Sequence, residues 1–148
     1  MNDDVNSEID NILISENPED GLQDLVDTGR MREILPELWM QVGFDQGTPH
    51  HKLELWEHTK KVVGLVPNSL EIRWAALLHD IGKPAAKFKN SKGHYSYKGH
   101  AVISAEMVRE IAVRFGWKEE QTEQIIKLVL EHMSDNSPLR KADNLAKR

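Results

Sequence analysis

Hydrophobic residues recur every three or four positions along most of this chain, and this spacing is typical of amphipathic helices. Leucines and isoleucines in residues 17–38 predict two short helices separated near Thr28 and Gly29. Thr48 followed by Pro49 predicts the start of another helix over residues 50–66, ended by Pro67. No stretch shows the alternation of a β-strand. The pattern therefore predicts an all-α fold.

The most apolar helix is expected to begin after Asn68 or Ser69 and to be stopped by Gly82 and Pro84. Its nearly continuous apolar run indicates the central, buried helix of the domain. Three further helices are predicted: one over residues 100–115, a second from residue 118 to about Ser134, and a short final one in residues 139–148. The lysine-rich stretch 85–99 reads as a loop or weak hairpin that could form the lip of a site. The tryptophans lie in apolar contexts and are predicted core residues: Trp39, Trp56, Trp74 and Trp117.

The length of 148 residues suits one domain with a substantial core. We predict an N-terminal arm over residues 1–16 and a single domain over residues 17–148. The arm is polar through Glu8, which favours fraying, but the isoleucines and leucine that follow could dock a short helix.

Composition and charge exclude several classes of binding site and partner. The net charge of −5 gives no sign of a basic surface for general nucleic-acid binding, and the absence of cysteine excludes disulfides and thiolate metal sites. No apolar stretch approaches the length of a membrane span, and the acidic start is unlike a signal peptide. We therefore expect a cytoplasmic protein with no membrane partner; its oligomeric state stays open.

Histidines interrupt three of the apolar helix faces. By helical spacing, His58, His100 and His132 share faces with leucine, isoleucine, valine or methionine, and Asp143 can also face the core. One inward histidine is usually an ordinary hydrogen-bonded core residue. Burying several imidazoles and carboxylates together is costly unless something compensates them, and a divalent cation would do so.

The segment "RWAALLHDIGKP" adds an adjacent pair, His79 and Asp80. Neighbouring residues on a regular helix diverge by about 100°, so they can converge on one centre only where the helix ends. Gly82 and Pro84 lie just beyond the pair. We therefore expect both side chains at a helix terminus, facing one centre.

The order His58, His79–Asp80, Asp143 resembles the HD superfamily of metal-dependent phosphohydrolases, an all-helical family, and implies a compact fold of about six to eight helices. His100 and His132 fall where two-metal members carry further histidines. "NPEDGLQDLVDTGRMREILPEL", "GFDQGTPHHKLELWEHT" and "YKGHAVISAEMV" are similar to the neck and HD domain of bacterial tRNA CCA-adding enzymes and poly(A) polymerase-like proteins. The given sequence shows no strand, glycine-serine loop or D-x-D pair of the kind that the nucleotidyltransferase head of those enzymes needs. This chain is therefore not expected to add nucleotides.

The resemblance implies one or two divalent ions, with Asp80 bridging them and a metal-bridging hydroxide attacking phosphorus. Mn, Fe, Co, Ni and Zn all suit histidine and carboxylate ligands. The expected metal ligands are His58, His79, Asp80, His100, His132 and Asp143, and Asp80 and Lys83 are the expected catalytic residues. Lys83 would bind the substrate phosphate or stabilise the leaving group.

The expected substrate is a nucleotide or RNA 3′-end phosphoester, with 2′,3′-cyclic nucleotide phosphodiesterase or phosphatase activity as the first hypothesis. Hydrolysis of deoxynucleotides or dinucleoside polyphosphates is a second, oxygenation by a mixed-valence iron site is another, and a non-catalytic, metal-stabilised binding module is the last. Lys87, His94 and His51 are further substrate-binding candidates. An exposed loop position is the more common explanation for His94 and for Lys87, and His51 with Gln46 is expected to make helix-start contacts or to support the ligands indirectly rather than to bind metal.

Overall fold

The structure is a computed structural model and describes residues 2–46, 54–89, 95–96 and 99–147. Its elements are, in chain order, α1 (Asn2–Leu13), α2 (Pro18–Asp27), α3 (Arg30–Ile34), α4 (Pro36–Trp39), α5 (Leu55–Leu65), α6 (Leu70–Leu78), α7 (Lys83–Ala86), β1 (Phe88–Lys89), β2 (Tyr95–Ser96), α8 (His100–Phe115), α9 (Glu119–Leu130) and α10 (Arg140–Ala146).

The all-α prediction is confirmed, although the described residues hold more helical segments than the six to eight expected. The excess comes from α3, α4 and α7, which have only four or five residues each. Proline explains two of them: Pro36 and Pro84 lie in the first turns of α4 and α7, where a missing N–H costs nothing. Pro84 thus lies in the first turn of a new helix that begins at Lys83, and α6 ends earlier, at Leu78.

Helix α6 lies at the centre of the fold, as its sequence predicts. Ser69 caps its first turn by accepting a hydrogen bond from the Ile72 N–H, and the side chains from Trp74 to Leu78 are fully buried. Helices α5 and α9 pack against it on two sides. This arrangement brings the C-terminal end of α6 into the interior, between α5, α8 and α9.

Helix α5 begins later than predicted. Glu54 has an extended backbone, and its side chain accepts a hydrogen bond from the Glu57 N–H, so Glu54 is the N-cap and the helix starts at Leu55. The rest of the predicted helix start, including Thr48 and Pro49, lies outside the described residues. Helix α9 ends at Leu130, four residues before the predicted end at Ser134.

The N-terminal segment is helical from Asn2, and its second half is docked on the domain. Ile9 and Leu13 are fully buried, and the Trp74 indole N–H donates to the Asp10 carboxylate at 2.7 Å. The Arg73 guanidinium donates to the carbonyl oxygen of Leu13 at 2.6 Å and so closes the end of α1. The described part of this segment therefore adds to the core; the domain boundary near residue 16 stays a prediction.

Strands β1 and β2 pair antiparallel over two residues each, with Phe88 opposite Ser96. They lie in the lysine-rich segment that the sequence predicts as a loop or weak hairpin. Within the described ranges no helix combines the length and the apolarity needed to cross a bilayer.

Candidate metal centre

The adjacent pair His79 and Asp80 lies where α6 ends. His79 is the C-cap of the helix, and Asp80 begins a tight turn closed by a hydrogen bond from the Lys83 N–H to the Asp80 carbonyl oxygen, 3.0 Å. Since the backbone leaves helical geometry here, the two side chains converge, and His79 Nε2 lies 3.1 Å from Asp80 Oδ2. The end of the helix thus lets both neighbours face one centre, as predicted.

Four residues form the first potential ligand group: His58, His79, Asp80 and Asp143. Asp143 Oδ1 lies 2.9 Å from His58 Nε2 and 3.2 Å from His79 Nε2. Helix α10 packs against α5 and so carries Asp143 to His58 across 85 positions of sequence. All four side chains are buried, with at most 5% of any of them exposed.

A second group contains Asp80, His100 and His132. Asp80 Oδ1 lies 3.2 Å from His100 Nε2 and 3.9 Å from His132 Nε2, and the two imidazole nitrogens face each other at 3.3 Å. His100 is the first residue of α8 and is 16% exposed, whereas His132 is buried just beyond α9. Asp80 belongs to both groups and turns one carboxylate oxygen toward each.

Backbone carbonyls fix the orientation of two imidazoles. His79 Nδ1 lies 2.6 Å from the Ala76 carbonyl oxygen, and His132 Nδ1 lies 2.7 Å from that of Val129. A carbonyl oxygen can only accept, so each Nδ1 carries a hydrogen and leaves Nε2 to act as the ligand atom. This second contact is the usual support of a metal-ligating histidine.

The Asp80 carboxylate tests whether these residues fit a cation. Both of its oxygens are buried, and neither has a well-formed hydrogen bond among the described residues, although nitrogens of His79, Lys83 and His100 lie 3.1–3.4 Å away. A buried carboxylate held only by such loose ion pairs is costly, and a bound cation would lower that cost. Imidazole and carboxylate ligands suit divalent transition metals. The buried histidine and aspartate cluster therefore fits divalent metal binding, without selecting a metal.

The electrostatics of the metal-free centre follow from burial and from the two carboxylates. Burial alone would lower the pKa of His79, but Asp80 and Asp143 outweigh it and raise that pKa to about 10. Burial alone would raise the pKa of Asp80, but His79 and Lys83 hold it well below its usual range. Burial, with the nearby charge of His79, lowers the pKa of His132 to about 4. Without metal, His79 is therefore cationic and His132 neutral at pH 7.

We expect metal binding to release a proton, because a cation must displace the proton that His79 holds below pH 10. Affinity should fall as the pH falls, by about tenfold per pH unit for one released proton. Isothermal titration calorimetry with Mn²⁺ in two buffers of different ionisation enthalpy measures the release directly. Identical binding enthalpies in the two buffers would contradict this prediction.

An open pocket of about 430 Å³ reaches the centre from solvent. Its lining residues are Asp80, Lys83, Gly99, His100, Ala101, Val102, His132, Met133, Asp143 and Lys147. The pocket includes all three members of the second group. A small ligand can therefore reach the side of Asp80 that faces His100 and His132.

Lys83 lies directly beside the centre. Its ammonium nitrogen is 3.4 Å from Asp80 Oδ2 and donates to Gln46 Oε1 at 2.7 Å. Lys83 and Gln46 are 5% and 1% exposed. Gln46 thus fixes the ammonium group at the edge of the pocket.

Lys87, another predicted substrate-binding residue, does not line this pocket. The Lys87 ammonium donates to the Asp45 carbonyl oxygen at 2.8 Å and lies over the Phe44 ring. His51 and His94 lie outside the described residues, and their predicted roles stay predictions.

Sequence reasoning missed two features of the site. Gly82 lies so close to the start of α8 that an added Cβ would be 2.6 Å from the His100 carbonyl oxygen, and its N–H donates to Ser104 Oγ at 2.8 Å. Lys147 reaches the pocket four residues after Asp143, with its ammonium 3.6 Å from Asp143 Oδ2. The spacing of a lysine one turn after an inward aspartate was the available signal for the second feature.

Comparison with known proteins agrees with this geometry. Residues 49–147 match the family model of the HD domain. The chain is 38% identical over 144 residues to the CC-adding tRNA nucleotidyltransferase of Thermus thermophilus, covering 93% of this chain and 33% of that protein. It is 32% identical to the A-adding tRNA nucleotidyltransferase of Deinococcus radiodurans, covering 87% and 31%, and 31% identical to the multifunctional CCA protein of an Azoarcus species, covering 81% and 29%.

The chain spans about a third of the length of these curated relatives. The predicted likeness to the neck and HD region of CCA-adding enzymes is confirmed. The family match covers all six predicted ligands and more than half of the sequence. This chain belongs to the HD domain family.

Proposed function

We propose that this protein is a metal-dependent phosphohydrolase that acts on nucleotide or RNA-end phosphoesters, with a 2′,3′-cyclic phosphate as its preferred substrate. Membership of the HD domain family supports the class of reaction. The relatives that act on tRNA, as their names state, support an RNA 3′ end as the source of the phosphate.

One observation carries the proposal. The Asp80 carboxylate, buried and without a well-formed hydrogen bond among the described residues, turns one oxygen toward each ligand group, and it lies in an open pocket. A purely structural metal site is closed by protein ligands, whereas a catalytic site keeps a position for substrate. Because the pocket gives a substrate access to the ligand group of Asp80, His100 and His132, we expect catalysis to take place there.

In the proposed mechanism, the six ligands would hold divalent ions, and these ions would supply Lewis acidity for the phosphate and lower the pKa of an attacking water. Asp80 contributes negative charge to both groups, and His79 and His132 are kept in orientation by the Ala76 and Val129 carbonyl oxygens. Lys83, fixed by Gln46, offers a positive charge to the phosphate oxygens or the leaving oxygen. Burial of the centre strengthens each of these interactions.

The test is metal analysis of protein purified without chelator, run beside product formation from 2′,3′-cyclic AMP after loading with Mn²⁺, Ni²⁺, Co²⁺, Fe²⁺ or Zn²⁺. Two equivalents of metal and turnover with at least one of these metals would support a binuclear phosphohydrolase. Turnover of deoxynucleoside triphosphates or dinucleoside polyphosphates alone would favour the second substrate class. Metal binding without turnover of any of these phosphoesters would reject the enzyme and leave the binding module.

Lys83→Met should lower kcat on the cyclic nucleotide by about a hundredfold, because one preorganised cationic donor to the phosphate is lost. The variant should keep its metal, since Lys83 belongs to neither ligand group. Lys87→Met is the matched control, because that ammonium lies against Asp45 and Phe44 and should leave kcat unchanged. Steady-state kinetics of the three proteins compare the values. Equal kcat in wild type and Lys83→Met would remove Lys83 from the mechanism.

A further inference from the structure

We propose that Lys147 binds a second phosphate of the substrate, so that the pocket selects nucleotides or RNA ends that carry a phosphate besides the one at the metal centre. This inference rests on the proposed function for the identity of the first phosphate. It concerns a different part of the pocket, at its rim.

Lys147 is the C-cap of α10, one helical turn after Asp143. Its side chain is 26% exposed, and its ammonium lies 3.6 Å from Asp143 Oδ2, so it contacts the carboxylate without a short hydrogen bond. Asp143 Oδ1 is directed at His58 and His79 instead. One oxygen of Asp143 thus faces the metal ligand group, and the other faces Lys147.

Metal loading changes the balance of charge around Lys147. Without metal, two carboxylates and two ammonium groups line the pocket: Asp80, Asp143, Lys83 and Lys147. A cation held by Asp143 would engage much of the charge that now faces Lys147. The loaded pocket would then carry an excess of positive charge, with Lys147 as its partly exposed cation, and such a pocket favours an anion with more than one charged group.

Part of the pocket lining is apolar. Val102 in the first turn of α8 and Met133 beyond α9 both line it and are 56% and 46% exposed. Exposed side chains of this size beside a charged centre suit the face of a nucleobase. The pocket therefore offers a metal centre for one phosphate, an apolar wall for the base and a separate cation for a second phosphate.

The experiment measures affinity without turnover, using Mn²⁺-loaded protein and two ligands, adenosine 3′-monophosphate and adenosine 3′,5′-bisphosphate. Wild type should bind the bisphosphate more tightly. Lys147→Gln should weaken bisphosphate binding by about tenfold and leave the monophosphate unchanged, because one charge-assisted contact to phosphate is lost. Lys147→Arg should keep most of the preference. Lys141→Gln, an exposed lysine on the same helix, should change neither affinity.

Mn²⁺ affinity separates this role from an effect through Asp143. If Lys147→Gln weakens Mn²⁺ binding and both nucleotides equally, Lys147 only positions a metal ligand and the inference is overturned. Equal affinity of wild type for the two nucleotides also overturns it. If wild type discriminates through Lys147 but hydrolyses neither cyclic AMP nor other phosphoesters, the inference holds and only the catalytic proposal fails.

Discussion

Asp80→Asn should reduce both metal content and hydrolysis to background. Asp80 is the one side chain shared by the two ligand groups, so the substitution removes a charged ligand from each of them. Loss of metal-based stabilisation of the transition state, worth several kcal/mol, corresponds to about a thousandfold or greater decrease in kcat/KM. Metal analysis and steady-state kinetics on 2′,3′-cyclic AMP measure the two effects together.

Asparagine is chosen because it keeps the shape of the side chain in a fully packed turn. Asp135→Asn, at an exposed position, is the matched control and should retain both metal and activity. An Asp80→Asn protein that still binds two equivalents of metal and hydrolyses at the wild-type rate would refute the assignment of Asp80 as the bridging ligand.

Gly82→Ala should destabilise the protein and impair the second ligand group. The backbone φ of −81° at Gly82 is ordinary, so alanine could adopt it. The obstacle is space, because a Cβ would lie 2.6 Å from both the His100 carbonyl oxygen and the Ser104 N–H nitrogen. These are backbone atoms, and relief requires α8 to move away from the turn that holds Asp80.

Such overpacking costs about 1–3 kcal/mol, which for this size corresponds to a decrease in Tm of roughly 3–10 °C. Displacement of α8 should also separate His100 from Asp80 Oδ1 and lower the metal content to one equivalent. Differential scanning calorimetry with metal analysis tests both effects. Gly64→Ala is the control, since the nearest atoms there belong to the end of the flexible Glu19 side chain. Equal losses in the two variants would contradict a specific role for the close approach at Gly82.

The helices were largely predictable because helical periodicity is a local signal. The cap at Ser69 and the left-handed Gly116 at the end of α8 are examples where a residue type determines a helix end. The start of α5 was less predictable, since Thr48–Pro49 is a good start signal and Glu54 a less usual cap. Where two local signals compete, the position of the helix start depends on what the segment packs against.

Tryptophan burial illustrates the same limit. Trp56 and Trp74 are buried as predicted, but Trp39 is 36% exposed and its ring packs under the Arg32 guanidinium. Trp39 ends α4, a four-residue helix that periodicity could not resolve. An apolar neighbourhood in sequence does not determine on which side of a single helical turn a ring will lie.

The candidate site was predictable as a set of residues, but its arrangement was not. The faces of His58, His100 and His132 follow from spacing, and the convergence of His79 and Asp80 follows from the end of a helix. The contact between Lys83 and Gln46 joins residues 37 positions apart and depends on the packing of a loop. The division of Asp80 between two groups likewise depends on where α8 and α10 dock.

The link from α10 to α5 also bears on the order of events during folding. His58 and Asp143 are separated by 85 positions, and closing so long a loop is entropically expensive until the intervening helices have packed. The first ligand group therefore becomes complete only when the last described helix docks. A nascent chain whose α10 is still unsynthesised lacks Asp143, so it can hold at most the three other members of this group.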